Sequence, residues 1–113
     1  MAGLSTHVLD TSLGKPAASL TIALYRDGKL LTERVTNADG RTDEPLIKSG
    51  ELQAGKYALH FHAGDYLRAN ALATDDVLFL DIVVINFGIA HTDQHYHVPL
   101  LLSPFGYSTY RGS

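Results

Sequence analysis

The sequence predicts an all-β fold of seven or eight short strands with one short α-helix. Turn signals recur at short intervals along the chain, and between them the side chains alternate with a period of two. Many short strands at regular spacing are typical of a two-sheet sandwich or a barrel. No internal repeat, low-complexity stretch or linker divides the 113 residues, so we expect a single domain spanning residues 1–113.

The first part of the chain carries the clearest strand signals. The segment Leu4–Asp10 reads LSTHVLD and predicts a first strand. Residues 20–26 alternate with a period of two, and the dipeptide Asp27-Gly28 separates them from a second such run at 29–35. A two-residue Asp-Gly connection between two runs of this kind predicts a β-hairpin.

The second part of the chain contains the predicted helix. Residues 56–63 alternate as a strand, whereas residues 66–73 are rich in leucine and alanine, which favour a helix. The run 79–87 is apolar on both faces, so both faces must be covered. We expect the core of the sandwich on one side and a subunit interface on the other.

The composition excludes several classes of function. The net charge is −3 and no basic run is present, so nucleic-acid binding has no electrostatic support. Without cysteine the chain has no disulfide, thiolate nucleophile or cysteine zinc site. The first residues lack a secretory pattern and no apolar stretch is long enough to span a bilayer, so we expect a cytoplasmic protein that does not contact membranes.

Two histidines, His95 and His97, stand two residues apart in a predicted strand. Alternation places both on one face and puts Tyr96, Val98 and Leu100 on the opposite, core-facing side. Three interpretations are open for this pair: a solvated polar face, a zinc site with a third histidine, or metal-free acid–base catalysis. The spacing alone does not choose among them.

Other candidate residues are weak signals in isolation. His7 lies in the first predicted strand, where a lone histidine is more often structural than catalytic. Arg41 follows a turn sequence and has the character of an ordinary surface arginine. Ser113 has no histidine near it in the sequence, so its local context does not predict a serine nucleophile.

Taken together, these segments match an ordered set of motifs. The sequence LSTHVLDT at 4–11 is followed by GKPA at 14–17, TNADGR at 36–41, HYHVPLL at 95–101 and YSTYRGS at 107–113. Over nearly its whole length the chain resembles the transthyretin-like family, and within it the 5-hydroxyisourate hydrolases rather than the hormone carriers. The terminal Tyr-Arg-Gly-Ser is the discriminating motif, because the carriers lack it.

This resemblance implies a fold, an activity and an assembly. The fold is an all-β, two-sheet, transthyretin-like (prealbumin-like) β-sandwich of about eight strands with one short α-helix. The activity is hydrolysis of 5-hydroxyisourate, the product of urate oxidation, to 2-oxo-4-hydroxy-4-carboxy-5-ureidoimidazoline, without a metal or other cofactor. The assembly is a homotetramer, a dimer of dimers, with active sites at the dimer–dimer interface.

The resemblance also assigns roles to residues of this chain. It places His7, Arg41, His97 and Ser113 at catalytic positions, and it places Tyr110 with His7 and Arg41 in contact with the substrate. In the mechanism that we expect, His7 and His97 share the proton transfers. Arg41 holds the anionic substrate and stabilises the charge that develops on it.

A second group of residues is expected to support this set, namely His95, Ser108 and Arg111. His97 is the expected catalytic member of the His-Tyr-His pair, and His95 its supporting or solvated neighbour. The sequence does not show which of the two catalytic histidines is the general base, because that depends on tautomer and environment.

Three alternatives accompany this interpretation. The first is a transthyretin-like carrier of a small ligand without hydrolase activity, which would not need the histidine and arginine motifs. The second is a zinc hydrolase that uses His7, His95 and His97 as ligands. The third is a purely structural β-sandwich.

Overall fold

A computed structural model describes residues 2–112, and these form two four-stranded β-sheets with one short helix. The strands are β1 Leu4–Asp10, β2 Lys15–Pro16, β3 Thr21–Arg26, β4 Lys29–Val35, β5 Gly55–His62, β6 Ile82–Ile89, β7 Tyr96–Ser103 and β8 Gly106–Thr109. The helix, α1, spans Ala63–Ala69. The predicted two-sheet sandwich is confirmed. No helix in this described range is long and apolar enough to cross a membrane.

The strand orders are β2-β1-β7-β8 in one sheet and β4-β3-β5-β6 in the other. All neighbouring strands of these sheets pair antiparallel except β1 and β7, which run parallel. In that parallel pair Leu4 lies opposite Tyr96, and Ser5 lies opposite His97. The pairing therefore joins the two ends of the sequence side by side.

The core lies between the sheets, and alternate side chains of the strands point into it. In β1 and β7 the buried, inward-pointing side chains include Leu4, Thr6, Val8, Tyr96, Val98, Leu100 and Leu102. The predicted inward face of β7 is thus confirmed. Because side chains alternate along a strand, the outer face of the β2-β1-β7-β8 sheet carries the remaining residues of these strands.

The predicted β-hairpin is confirmed as β3 and β4. Arg26 pairs with Lys29, so the connection has two residues. Both of these take a positive φ, 50° at Asp27 and 81° at Gly28. That combination gives the turn a twist that matches the right-handed twist of the two strands.

The helix lies earlier in the chain than the sequence pattern predicts. The pattern indicates 66–73, whereas the helix spans Ala63–Ala69. It begins directly after β5, where the N–H of Gly64 donates to the carbonyl of Asp81 at 2.8 Å. It ends early because Ala71 takes the left-handed φ of 54°, which helical residues do not adopt.

The sixth strand begins later than the apolar run 79–87 predicts, since it spans Ile82–Ile89. Directly before the strand, the carbonyl of Asp81 accepts the N–H of Gly64 at the start of the helix. Further upstream, Arg68 donates to the carbonyls of Asp75 and Asp76, so this segment contacts the helix. Within β6 the inward side chains are buried, apart from the partly buried Phe87, and the outward ones are accessible. Because the apolar run begins at residue 79 and the strand at Ile82, the run does not identify the first residue of the strand.

A buried carboxylate, Asp10, fixes the end of β1. It is 1% exposed, and it accepts hydrogen bonds from the N–H and hydroxyl of Ser12, the N–H of Leu13 and the hydroxyl of Tyr66, at 2.5 to 3.0 Å. Burial raises the pKa of Asp10, but the hydrogen bonds from Ser12, Tyr66 and Leu13 outweigh burial and hold the pKa below its usual value. Asp10 thus ties the helix to the first sheet as a charged group.

We expect Asp10→Asn to lower the free energy of unfolding by about 1–3 kcal/mol, because the carboxamide would turn an NH₂ group towards donors. The lowered pKa means that the carboxylate stabilises the fold fully above its ordinary pKa of 3.8 and progressively less as pH falls through the folded-state value. Urea unfolding at neutral and successively lower pH should show the gap to wild type narrowing. Asp93→Asn, at an exposed turn residue, is the matched control, and equal stabilities at neutral pH would contradict the prediction.

Candidate active site

His7 and His97 lie on neighbouring strands, on the outer face of the β2-β1-β7-β8 sheet. The parallel register sets Ser5 opposite His97 and His7 opposite Pro99. Residues two apart on a strand share a face, so His7 and His97 are diagonal neighbours. Both histidine side chains are partly buried. The β1–β7 pairing thus brings together imidazoles from opposite ends of the sequence.

The turn formed by residues 37–41 places Arg41 beside this pair. Asn37 accepts the N–H of Arg41 with its side-chain oxygen at 3.2 Å and donates its own N–H to the carbonyl of Arg41 at 2.7 Å. The N–H of Val8 on β1 donates to the carbonyl of Gly40 at 2.8 Å. Gly40 has a φ of +73°, and a Cβ there would lie 2.3 Å from the carbonyl oxygen of Val8. Only glycine allows this close approach of the turn to β1.

Burial and the charge of Arg41 lower the pKa of both histidines. For His7 the largest cause is burial of the ring, followed by the guanidinium of Arg41. For His97 the causes are the same in the same order, with smaller contributions from His7 and His95, and a backbone contact with Ser5 acts the other way. Both rings are therefore neutral at neutral pH. A neutral imidazole has one nitrogen that accepts a proton and one that donates.

A chain of hydrogen bonds lies behind His97. The hydroxyl oxygen of Ser5 is 2.8 Å from Nδ1 of His97 and 3.0 Å from Nε2 of His95. The other ring nitrogen of His95, Nδ1, accepts the N–H of Gly3 at 3.3 Å. Both nitrogens of His95 are thus engaged, and His95 reaches His97 through Ser5.

The last described residue packs against His97 from the other side. Gly112 forms a bridge with His97, and its N–H donates to the carbonyl of His97 at 2.7 Å. A Cβ at Gly112 would lie 2.8 Å from Cδ2 of His97, so the glycine backbone covers that edge of the ring. With Nδ1 held by Ser5, the tip of the ring formed by Nε2 and Cε1 faces the site.

Two further serines were expected at or near the site, Ser108 and Ser113. Ser108 is exposed on β8 and pairs with Leu101, so it shares the outer face with His97 but lies four residues further along β7. Ser113 lies outside the described residues. The structure therefore places Ser108 at the margin of the candidate site.

Tyr110 and Arg111 lie at the other side of β7. Tyr110 is 59% exposed and lines, with Arg111, a groove that reaches the core-facing residues Tyr96 and Val98. The guanidinium of Arg111 lies 3.9 Å from the ring centre of Tyr96 and donates to the carbonyl of His95 at 3.2 Å. Arg111 therefore holds the backbone next to the site, and within this chain Tyr110 lines a different surface from His7 and His97.

The three histidines do not form a metal site in the described structure. Among residues 2–112, no group of three or more His, Cys, Asp or Glu side chains could hold a metal ion. The alternative with His7, His95 and His97 as zinc ligands also requires a free nitrogen on His95. Both nitrogens of that ring are in hydrogen-bonding contact with Gly3 and Ser5.

Sequence reasoning missed four residues that shape the site, namely Gly3, Ser5, Gly40 and Gly112. A signal for Ser5 was available, since it precedes His7 by two residues and must share its face if the segment is a strand. The glycines gave no comparable signal. Their importance comes from close approaches between distant parts of the chain, which a pattern along the sequence does not contain.

Comparison with known proteins gives a consistent set of relatives. Residues 4–112 match the model of the family described as "HIUase/Transthyretin family". A protein of Rhizobium meliloti (strain 1021) described as 5-hydroxyisourate hydrolase 2 is 56% identical, over 97% of this chain and 95% of that protein.

Solved structures show the same likeness. The 5-hydroxyisourate hydrolase of Klebsiella pneumoniae is 38% identical with a TM-score of 0.82, over 97% of this chain and 98% of that one. A crystal structure of (S)-allantoin synthase is 43% identical with a TM-score of 0.92. The match covers 98% of this chain but 43% of the allantoin synthase chain, so the similarity concerns one part of that longer protein.

Proposed function

The chain belongs to the HIUase/Transthyretin family, and we propose that it is a hydrolase that converts 5-hydroxyisourate to 2-oxo-4-hydroxy-4-carboxy-5-ureidoimidazoline in urate degradation. The observation that carries the proposal is the grouping of His7, His97 and Arg41 on one sheet face. The strand pairing and the Gly40 turn produce this grouping. The names of the relatives supply the substrate.

The proposed reaction opens a cyclic amide. Water adds to the carbonyl carbon, negative charge develops on the carbonyl oxygen, and the bond to the ring nitrogen breaks as that nitrogen takes up a proton. One imidazole removes a proton from the water while a second group supplies one to the leaving nitrogen. General acid–base assistance of this kind contributes about 10²- to 10⁴-fold per group. His7 and His97, neutral and adjacent, are suited to share these proton transfers.

Arg41 has the electrostatic role in this proposal. Its guanidinium is permanently charged and presents a rigid fork of donors, which suits both the anionic substrate and the charge that develops during attack. The guanidinium lowers the pKa of His7 and His97, which supports this placement, because such an effect requires the charge to lie near both rings. Tyr110 and Ser113 are proposed to hydrogen-bond the substrate or the water. Within its own chain Tyr110 lines a different surface from His7 and His97, so its contact with the substrate is proposed to come from a neighbouring copy of the chain.

We also propose a homotetramer, a dimer of dimers, with the sites at the dimer–dimer interface. In one chain the candidate site is open: Arg41 is exposed and the two histidines are only partly buried. Hydrolytic sites work best when bulk water is excluded, since electrostatic interactions weaken in water. A second copy covering this face would supply the missing wall. Sedimentation equilibrium of the purified protein tests the assembly, and a monomer with full activity would contradict it.

The proposed activity has a direct test. 5-Hydroxyisourate is generated in situ from urate, and its decay is followed spectrophotometrically with and without the protein. Acceleration that depends on protein concentration supports the hydrolase. Binding of the substrate without acceleration would instead indicate the carrier alternative. Activity that disappears with bound metal after chelator treatment would indicate the zinc hydrolase.

Domain extent and compartment complete the proposal. We propose one transthyretin-like domain over residues 1–113, which the family match to residues 4–112 supports. We propose the cytoplasm as the compartment, and the absence of cysteine from the sequence is compatible with its reducing conditions. Cell fractionation with an antibody against the protein tests the compartment.

A further inference from the structure

We propose that the N–H of Gly3, His95 and Ser5 form a directed hydrogen-bond chain that holds neutral His97 with its proton on Nε2. Ser5 and His95 are then positioning residues, and His97 offers the substrate an N–H donor. This inference rests on the proposed hydrolase function for its kinetic part only. The tautomer itself is a property of the free protein.

The direction of the chain follows from its first member. A backbone N–H can donate but cannot accept, so Nδ1 of His95, 3.3 Å from the nitrogen of Gly3, must carry a lone pair. Neutral His95 then has its proton on Nε2, which lies 3.0 Å from the oxygen of Ser5. Ser5 accepts this proton in a hydrogen bond and keeps its own hydroxyl proton to donate. The acceptor 2.8 Å away is Nδ1 of His97.

This arrangement uses each donor and acceptor of the chain once. If His97 instead carried its proton on Nδ1, two ring N–H groups would point at the oxygen of Ser5, and the hydroxyl proton would lose its ring acceptor. Buried or partly buried polar groups without partners are costly. A hydrogen-bonding contact of the His97 ring with the Ser5 backbone favours the charged form, but burial and the guanidinium of Arg41 outweigh it and lower the pKa of His97.

The orientation of the His97 ring is fixed from both sides. Ser5 holds the Nδ1 edge, and the backbone of Gly112 lies against the Cδ2 edge. Rotation of the ring about its axis would push a ring atom into Gly112 and break the bond to Ser5. The Nε2–H group therefore points outward from the sheet face, where the carbonyl oxygen of a substrate can accept it.

The consequence is a division of labour between the two catalytic candidates. A resting His97 with its proton on Nε2 is a donor at the substrate side, suited to the oxygen on which negative charge develops. It cannot at the same time take a proton from water at that nitrogen. In place of proton transfer shared between the two rings, removal of the proton from water then belongs to His7, a choice that the sequence left undecided. The imidazolium that His7 becomes can pass this proton to the leaving ring nitrogen as the ring bond breaks.

Nuclear magnetic resonance of protein with ¹⁵N-labelled histidine tests the tautomer without substrate. At a pH where the rings are neutral, the ¹⁵N chemical shifts of the ring nitrogens and their couplings to the carbon-bound ring protons distinguish the Nδ1–H tautomer from the Nε2–H tautomer. We expect both His95 and His97 to carry the proton on Nε2. A His97 with its proton on Nδ1 would overturn the inference, whatever the activity of the protein.

Ser5→Ala tests the contribution of the chain to turnover. Removing the hydroxyl that orients a histidine is expected to lower kcat on the order of 10- to 100-fold, with a small change in KM. In the same variant the His97 signals should report a mixture of tautomers. Ser19→Ala, at an exposed turn residue, is the matched control.

Ser5→Thr keeps a hydroxyl at the same position and suits a strand, so it should retain the Nε2–H tautomer and recover most of the lost kcat. It also preserves the test if Ser5→Ala fails to fold. A Ser5→Ala variant with wild-type kcat and an unchanged tautomer would overturn the role of Ser5. If the wild-type protein does not accelerate substrate decay, the proposed function fails while the tautomer measurement still stands.

Discussion

Replacing His97 with asparagine is expected to reduce kcat/KM for 5-hydroxyisourate by about 10²- to 10⁴-fold, a range that covers the loss of a proton-transfer group and the loss of a donor to the developing negative charge. His7→Asn should have an effect of similar size. The loss is expected in kcat more than in KM, because the proton transfers occur in the transition state.

The choice of asparagine isolates the chemistry at His97. An asparagine side chain can place its oxygen near the position of Nδ1, so it can still accept the hydroxyl of Ser5. What it removes is the Nε2–H tip that faces the site. Because asparagine is also smaller than histidine, it fits in the space that the His97 ring occupies against Gly112. A loss of turnover with an unchanged melting temperature would therefore report the missing nitrogen.

His91→Asn is the matched control for these substitutions. His91 is exposed in the loop before β7. Its backbone N–H donates to the hydroxyl of Tyr96 and its carbonyl accepts the N–H of Gln94, so its side chain can be changed without altering these hydrogen bonds. We expect this variant to retain wild-type turnover. If His7→Asn and His97→Asn also retain it, the assignment of the two histidines is wrong.

The sequence was sufficient to predict the two-sheet sandwich, the hairpin and the face on which His97 lies. These features depend on turn chemistry and on side-chain alternation, which are local. The sequence also predicted a first strand that contains His7, but it could not identify the partner strand. The parallel pairing of β1 and β7 is a contact between the ends of the chain, and only the fold shows it.

The sequence pattern did not predict the exact ends of the helix and the strands or the close contacts between distant segments. The end of the helix depends on the backbone conformation of Ala71. The residue before β6, Asp81, is bonded through its carbonyl to Gly64 of the helix. The contacts of Arg111 could not be predicted from the sequence either. The terminal motif placed it near the site, but its guanidinium packs on Tyr96 and bonds the backbone of His95.

Replacing Arg41 is the second substitution that we expect to have a large effect on turnover. We expect Arg41→Gln to reduce kcat/KM by about 10²- to 10³-fold, as is usual when a group that stabilises developing negative charge is removed. The same change should move the acidic limb of the pH–rate profile to higher pH. Arg41 lowers the pKa of His7 and His97, so without it both pKa values rise towards the ordinary value of 6.5 and the rings gain protons at higher pH. Burial is the larger cause of the lowering and remains in the variant, so the shift should be partial.

The two effects of Arg41→Gln have separate measurements. Titration of the ring-proton resonances of His7 and His97 follows the pKa values without substrate, and the pH dependence of kcat/KM follows them in turnover. Arg34→Gln is the matched control, because Arg34 lies on β4 in the other sheet and its guanidinium bonds to Thr32 and Glu33 of its own strand. Unchanged histidine titrations in Arg41→Gln would show that the guanidinium does not act at these rings. A lower kcat/KM with unchanged titrations would mean that Arg41 acts on the substrate and not on the pKa of the histidines. Burial of the rings would then be the cause of their lowered pKa values.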